Sequence, residues 1–551
     1  MTTRLHTLPM AIVALFATTW ATAREGLPLA TPPQKAQIIS DEPKNVSPKI
    51  VKQWEDAGCS YCGLVEVDGI RQMPLEIRPE KQFRLPGFAI REFQDFDKLP
   101  VPDAPFALII HGEANIDFKK LSALRQLQFL DLSEFKVTDS ALGELSVLTQ
   151  LHSLTIDIRD VTDEGLKKIT TLKQLKCLTL LSGFKVTDEG VKELASLKQI
   201  QLLHLNAPRV TDIGVKELSA LKELQSLSLV ATKMTDTGLK ELSALKLLQW
   251  LDLGNTLVTG ASLKELATLN QLKWLSLRET RVTDAGLKEL VTLKQLQYLY
   301  LDKTKVTDRC LNDIGVLIQL KWLGLSETQM TGSSLNALAT LKQLQVLDLS
   351  DTKILDSSLK GLVGLKLKQL ELPKQAETDV GLKHYLAALE PPSKLLLHRW
   401  QITDTAAKEL SAQKQLRRLD LSDTRVTDMG VKDLSTIEQL QYLSLDGTSV
   451  TDECVKHLIV FKQLNTLDLG NTKVTDECMK QLNAHKELQY LGLRNTKVTD
   501  VGMKQLIALK QLQGLELSNT QVTDASVQDL ITLKHMQRLY LAVQRGVALK
   551  V

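Results

Sequence analysis

Two cysteines separated by two residues, Cys59-Ser60-Tyr61-Cys62, are the one place where spacing alone suggests reactive chemistry. A zinc site would need a second pair of ligands nearby, and none follows. Haem attachment needs a histidine next, where Gly63 stands, and a dithiol redox site needs a βαβ surround that the flanking residues do not supply. Two readings remain, a small disulfide between Cys59 and Cys62 or two free thiols. Cys454 and Cys478 sit at equivalent places just after T-D-E and read as small buried stand-ins for glycine rather than as a bridge. Histidines are scattered, with no nucleophile or second ligand at useful spacing. No Gly-rich phosphate loop, H-E-x-x-H or G-x-S-x-G is present. The chain therefore reads as non-enzymatic, with no catalytic residue, no metal and no cofactor expected.

Recognition chemistry is spaced more regularly. Trp250, Trp274, Tyr298 and Trp322 follow one another at intervals of 24 residues, with Tyr300 two places after Tyr298. Tyr442, Tyr490 and Tyr540 fall on the same two places of later units. Each lies inside L-x-x-L-x-L, at its third or fifth position. Asp252, Asp348, Glu371, Asp420 and Asp468 share the fifth position. In an extended strand alternate side chains point to opposite sides, so the leucines enter a core while the third and fifth places face away from it. A row of Trp and Tyr facing outward is costly unless something covers it, and these residue types dominate binding hot spots. Cross-strand stacking is the structural alternative.

The element that positions these residues is a repeat. V-T-D-like tripeptides start seventeen times between 137 and 522, most of them 24 residues apart, each followed by an L-K-x-L segment and then L-x-x-L-x-L. No single unit could bury its leucines alone, and stacked units share one apolar column. The Asp of T-D-x-G-L is placed to cap the helix that follows it. Thr232, Thr256, Thr280 and Thr304, three residues after the last leucine, are placed to satisfy backbone groups at the turn. At Gly260 and Gly332 the capping Asp is missing, so those helices should start less firmly. Strands stack ~4.8 Å apart and helices ~10 Å apart, which forces a curve with strands inside.

This pattern resembles leucine-rich repeats of the V-T-D-x-G-L-K-E-L type seen in secreted bacterial proteins. It is similar to the repeats of F-box leucine-rich proteins and, more distantly, of ribonuclease inhibitor. The resemblance covers about 106–541, and the stretch from Trp54 to Phe106 resembles the leader that precedes such bacterial repeats. It implies an α/β solenoid with parallel strands on the concave side, helices on the convex side and a small N-terminal cap. For function it implies a binding scaffold.

Targeting and charge complete the reading. Arg4, the apolar run Leu8 to Trp20 and Ala21-Thr22-Ala23 form an export signal cleaved after Ala23. No later apolar run is long enough to span a bilayer. Lys plus Arg is 68 against 65 for Asp plus Glu, a balance that argues against a nucleic-acid partner. The domain reading is 1–23 signal, 24–47 linker, 48–105 cap, 106–372 first arc, 373–392 irregular joint, 393–541 second arc and 542–551 tail. The register slip near Pro373, Pro391 and Pro392 fits either a joint between two arcs or one solenoid with an irregular loop. The expected function is a monomeric, exported protein-binding scaffold. The alternatives are a glycan-binding envelope protein, since Trp and Tyr also suit sugar rings, and an F-box-like adaptor of a ubiquitin ligase, which the export signal opposes.

Overall fold

The computed structural model describes residues 46–541 except 58, 68–82, 91–98, 111–117 and 531. The expected export signal and linker therefore lie outside the described residues, apart from 46 and 47, as does the tail.

The described chain opens with a helix, Pro48–Asp56, with Pro48 in its first turn. Ser47 stands at the N-cap without a capping bond from its hydroxyl, and its backbone N–H donates to the Asp103 carboxylate at 3.1 Å. Trp54 is fully buried against Phe88, at 4.3 Å between ring centroids, and Phe106, at 5.8 Å. Its indole N–H donates to the Pro100 carbonyl at 2.9 Å, which satisfies the one polar atom that burial would otherwise strand. Strand Ser60–Val67 pairs antiparallel with Phe83–Ile90, which pairs in parallel with Phe106–Ile110. The cap thus extends the sheet that the repeats continue.

From there every paired strand is parallel. Trp274 lies opposite Trp250 on one side and Tyr298 on the other, and the leucines keep the same register. Leu248, Leu251 and Leu253 are completely buried, as are their counterparts in neighbouring units. Six residues thus supply three core leucines and two outward places, the period-two logic read from the sequence. After most of the three-residue strands the chain turns through a left-handed residue, such as Asn255 at φ 54°, Asn471 at 52° and Asn495 at 55°. Asn tolerates that region best after glycine. The expected threonines close the turn: Thr256 Oγ1 donates to the Leu253 carbonyl at 2.7 Å and Thr280 Oγ1 to Leu277 at 2.6 Å.

The role expected for the T-D aspartate is corrected. The threonine before it is the N-cap of its own helix: Thr427 accepts from the Met429 N–H at 3.3 Å. The aspartate reaches forward to the next repeat. Asp404 accepts from the Thr427 N–H and from Thr427 Oγ1, both at 2.7 Å, and the same pair of bonds joins Asp212 to Thr235 and Asp476 to Thr499. The carboxylate caps a helix, but the neighbour's. The glycine of T-D-x-G follows from this, because a Cβ at Gly430 would sit 2.5 Å from Asp404 Oδ1. Where glycine stands in place of the aspartate, at 260 and 332, the convex segments Leu263–Thr268 and Leu335–Thr340 are 3₁₀ rather than α, but so is Asp356–Leu362, which keeps its aspartate, so the missing aspartate does not by itself explain the change.

The ladder divides into a 14-stranded and a 7-stranded sheet, interrupted between Gln369–Glu371 and Lys394–Leu396. Pro391 and Pro392 occupy the interruption; they have no N–H to donate. The apolar core runs through it, from Leu365 and Leu370 to Leu395 and Leu397. Tyr385 and Trp400 meet edge-to-face at 5.2 Å here, off the strand face.

Candidate binding face

The third and fifth places lie on the strand face, away from the leucine column, and the aromatic residues form one continuous stack there. His204 stacks on Trp250 with centroids 5.0 Å apart, and Trp250 on Trp274 at 4.3 Å with only 17° between planes. Tyr300 follows at 5.0 Å from Trp274, and Trp322 at 5.7 Å from Tyr300. Tyr298 packs against the Trp250 cluster, which includes Leu202. Small neighbours make the lean possible: Ser226 lies opposite Trp250, and Gly324 opposite Tyr300.

Stacking changes what the row exposes. Trp250 was expected to be exposed but is only 6 % so. Its ring fills the dip over Ser226 and is covered on both sides by His204 and Trp274. Trp274, Tyr298, Tyr300 and Trp322 are half-buried. The Tyr300 phenol accepts a hydrogen bond from the Trp274 indole, and burial pushes its pKa well up. His204 is pushed down to about 4 by burial, and its Nε2 finds no hydrogen-bond partner among the described residues. Trp250 is therefore covered on both faces, whereas among the described residues Trp322 meets only the ring of Tyr300.

Fifth-place carboxylates first serve the turn. Asp252 accepts from the Gly254 N–H at 3.0 Å, Asp348 from Ser350 at 2.9 Å, Asp420 from Ser422 at 2.9 Å and Asp468 from Gly470 at 2.9 Å. Burial raises the pKa of Asp252 and Asp468 despite those bonds, and of Glu371, which accepts from Gln369 Nε2 at 3.0 Å. Beyond the ladder break Tyr442 carries the Arg418 guanidinium 4.5 Å over its ring. Tyr490 lies over Gly514, where a Cβ would meet its ring at 2.8 Å. Burial pushes the Tyr490 phenol up to about 12.

Three features were not read from the sequence. One is the forward reach of the T-D aspartates. Another is His204 as the end of the aromatic stack, signalled only by its fifth-place position two repeats before Trp250. The third is a network beside the strands: Arg494 pairs with Asp446, which also accepts from Asn471 Nδ2 at 2.8 Å, and Asn495 Nδ2 donates to Asn471 Oδ1 at 2.6 Å. The run of asparagines at equivalent places could have suggested it. Cys454 and Cys478 are buried unbridged thiols, and burial raises both. Cys59 is buried, unbridged and pushed up to about 11 by burial, while the Cys62 side chain lies outside the described residues. Among the described residues no group of His, Cys, Asp and Glu could hold a metal ion.

A family model described as Leucine Rich repeat matches residues 414–435. No curated protein matches this chain. Among solved structures, a leucine-rich-repeat protein of Leptospira interrogans is 22% identical, covering 74% of this chain and 95% of that one, with a TM-score of 0.46. An internalin from Listeria monocytogenes is 19% identical over 74% of this chain and 90% of that one, with a TM-score of 0.32. A plant peptide hormone receptor, solved in complex with its peptide, is 15% identical over 83% and 93%, with a TM-score of 0.39. Repeat register, parallel ladder and shared leucine column give the chain an α/β solenoid fold of the leucine-rich-repeat kind.

Proposed function

We propose that this protein is a non-enzymatic scaffold that binds a protein partner on its strand face, outside the cytoplasm. The observation that carries the reading is the aromatic stack, held on the face that the leucine core does not use. The anchor comprises Trp274, Tyr298, Tyr300 and Trp322, with Trp250 as its buried base. Asp252 and Asp348 line the same face, and Tyr442 and Tyr490 offer a second patch. Rings fixed in place before binding cost little further ordering when a partner arrives. Export rests on the N-terminal signal read from residues 1–23.

Envelope extract passed over the immobilised protein tests this. A Trp274→Ala/Tyr298→Ala/Trp322→Ala variant should keep its circular-dichroism melt within a few degrees and lose capture of the partner. Equal capture by the folded variant would refute the anchor.

A further inference from the structure

Charge is divided between the residues that lead into each strand and those at its far end. Across the L-x-x-L-x-L strands from Leu127 to Leu541, the second and third places hold Lys and Arg but no Asp or Glu, while the fifth holds Asp and Glu but no Lys or Arg. Because the strands are parallel, equivalent places form rows. One margin of the face is basic, the other acidic, and the aromatic stack runs between them.

The two margins do not neutralise each other. Lys273 reaches the Gln249 side-chain oxygen at 3.4 Å, Lys368 that of Gln345 at 3.1 Å, and Arg418 lies over Tyr442. On the other side Asp252, Asp348 and Asp468 accept backbone N–H groups two residues ahead. Each of these named charges is oriented by a neutral partner, although Arg278 also acts on Asp252 and Arg494 on Asp468.

Dimensions narrow the partner. Places two and five are three residues apart along an extended strand, ~10 Å, which matches the diameter of one helix. Successive strands step by ~4.8 Å and successive helical turns by ~5.4 Å, so a helix lying along the stack meets about one strand per turn. Building on the scaffold reading above, we infer that the partner segment is an amphipathic helix laid across the strands. Its apolar stripe meets the rings, its acidic flank faces the Lys273–Lys368 margin and its basic flank faces the Asp252–Asp348 margin. Reversing such a helix end-for-end would set like charges together on both margins, so the division also fixes the direction in which it runs.

Random peptides of about 16 residues, roughly four helical turns, displayed on phage and selected on the full chain, test this. Enriched peptides should carry apolar residues at i, i+3 or i+4 and i+7, with acids on one flank and bases on the other. A Lys273→Glu/Lys368→Glu variant should bind them roughly tenfold more weakly and itself select peptides with bases in place of the acids. Peptides lost by a Trp274→Ala/Trp322→Ala variant but bound equally by the lysine variant would overturn the divided-face inference and leave the scaffold reading standing. Absence of enrichment, or enrichment indifferent to the tryptophans, would overturn both.

Discussion

The bonds from each T-D aspartate to the next repeat make a local and measurable prediction. In Asp404→Ala, the Thr427 N–H and Oγ1 each lose a carboxylate partner at 2.7 Å. A hydrogen bond to a charged group is worth about 1.5–3 kcal/mol. Asp404 is half-buried, so water replaces part of the loss, and the net cost should be about 2–3 kcal/mol. In a repeat stack each unit touches only its neighbours, so the damage stays at the 404/428 junction. Amide exchange in the helices Asp404–Leu410 and Asp428–Leu434 should quicken by about 30- to 150-fold, with distant repeats unchanged. Asp404→Asn keeps one acceptor and should lie between. Glu438→Ala, at an exposed acid, is the control. If Asp404→Ala exchanges no faster than that control, the aspartate is not a junction staple, and its recurrence every 24 residues must have another cause.

Two further measurements follow from buried groups and from the N-terminus. His204 is pushed from 6.5 down to about 4, so the unfolded chain takes the proton first; stability should fall as pH drops from about 6.5 to about 4, and His204→Gln should flatten part of that slope in pH-dependent thermal melts. The intact mass of protein recovered from the growth medium or envelope should correspond to a chain beginning at Arg24. An uncleaved N-terminus would refute export by this signal.

The repeat and its leucines were legible because burial imposes a period that survives every substitution between them. Leu251 and Leu299 are recognisable from spacing alone, and both are fully buried. The turn threonines were legible for a similar reason, since the Thr256 hydroxyl acts within its own unit. The aspartates were not. Capping its own helix and capping the next one require the same residue at the same place, and only three-dimensional stacking brings Asp404 to Thr427, 23 residues on. The glycine two residues after many of these aspartates held a clue, although Ala406, Cys454 and Cys478 fill the same place in other units. It has no use within its own helix, where glycine is costly, but it makes room for the carboxylate of the preceding repeat.

For the aromatic row, the side of the sheet was legible and the tilt of the rings was not. Period two sends Trp250 and Trp274 to the strand face whatever their neighbours are. Whether they stand apart or lean together depends on volume at adjacent places, and Ser226 opposite Trp250 leaves a hollow that the indole fills. This has a consequence for how the face works. A ring already packed on both sides gives up little freedom when a partner covers its edge. Removing Trp250 would therefore do two things at once: open a hollow over the Ser226 hydroxyl and release Trp274 from its stack. Loss of binding in a Trp250→Ala variant would mix a packing defect with a contact defect, whereas Trp322, whose ring meets that of Tyr300 at 5.7 Å, reports on contact with much less disturbance. The end of the stack, rather than its most buried member, is where recognition by this face can be read cleanly.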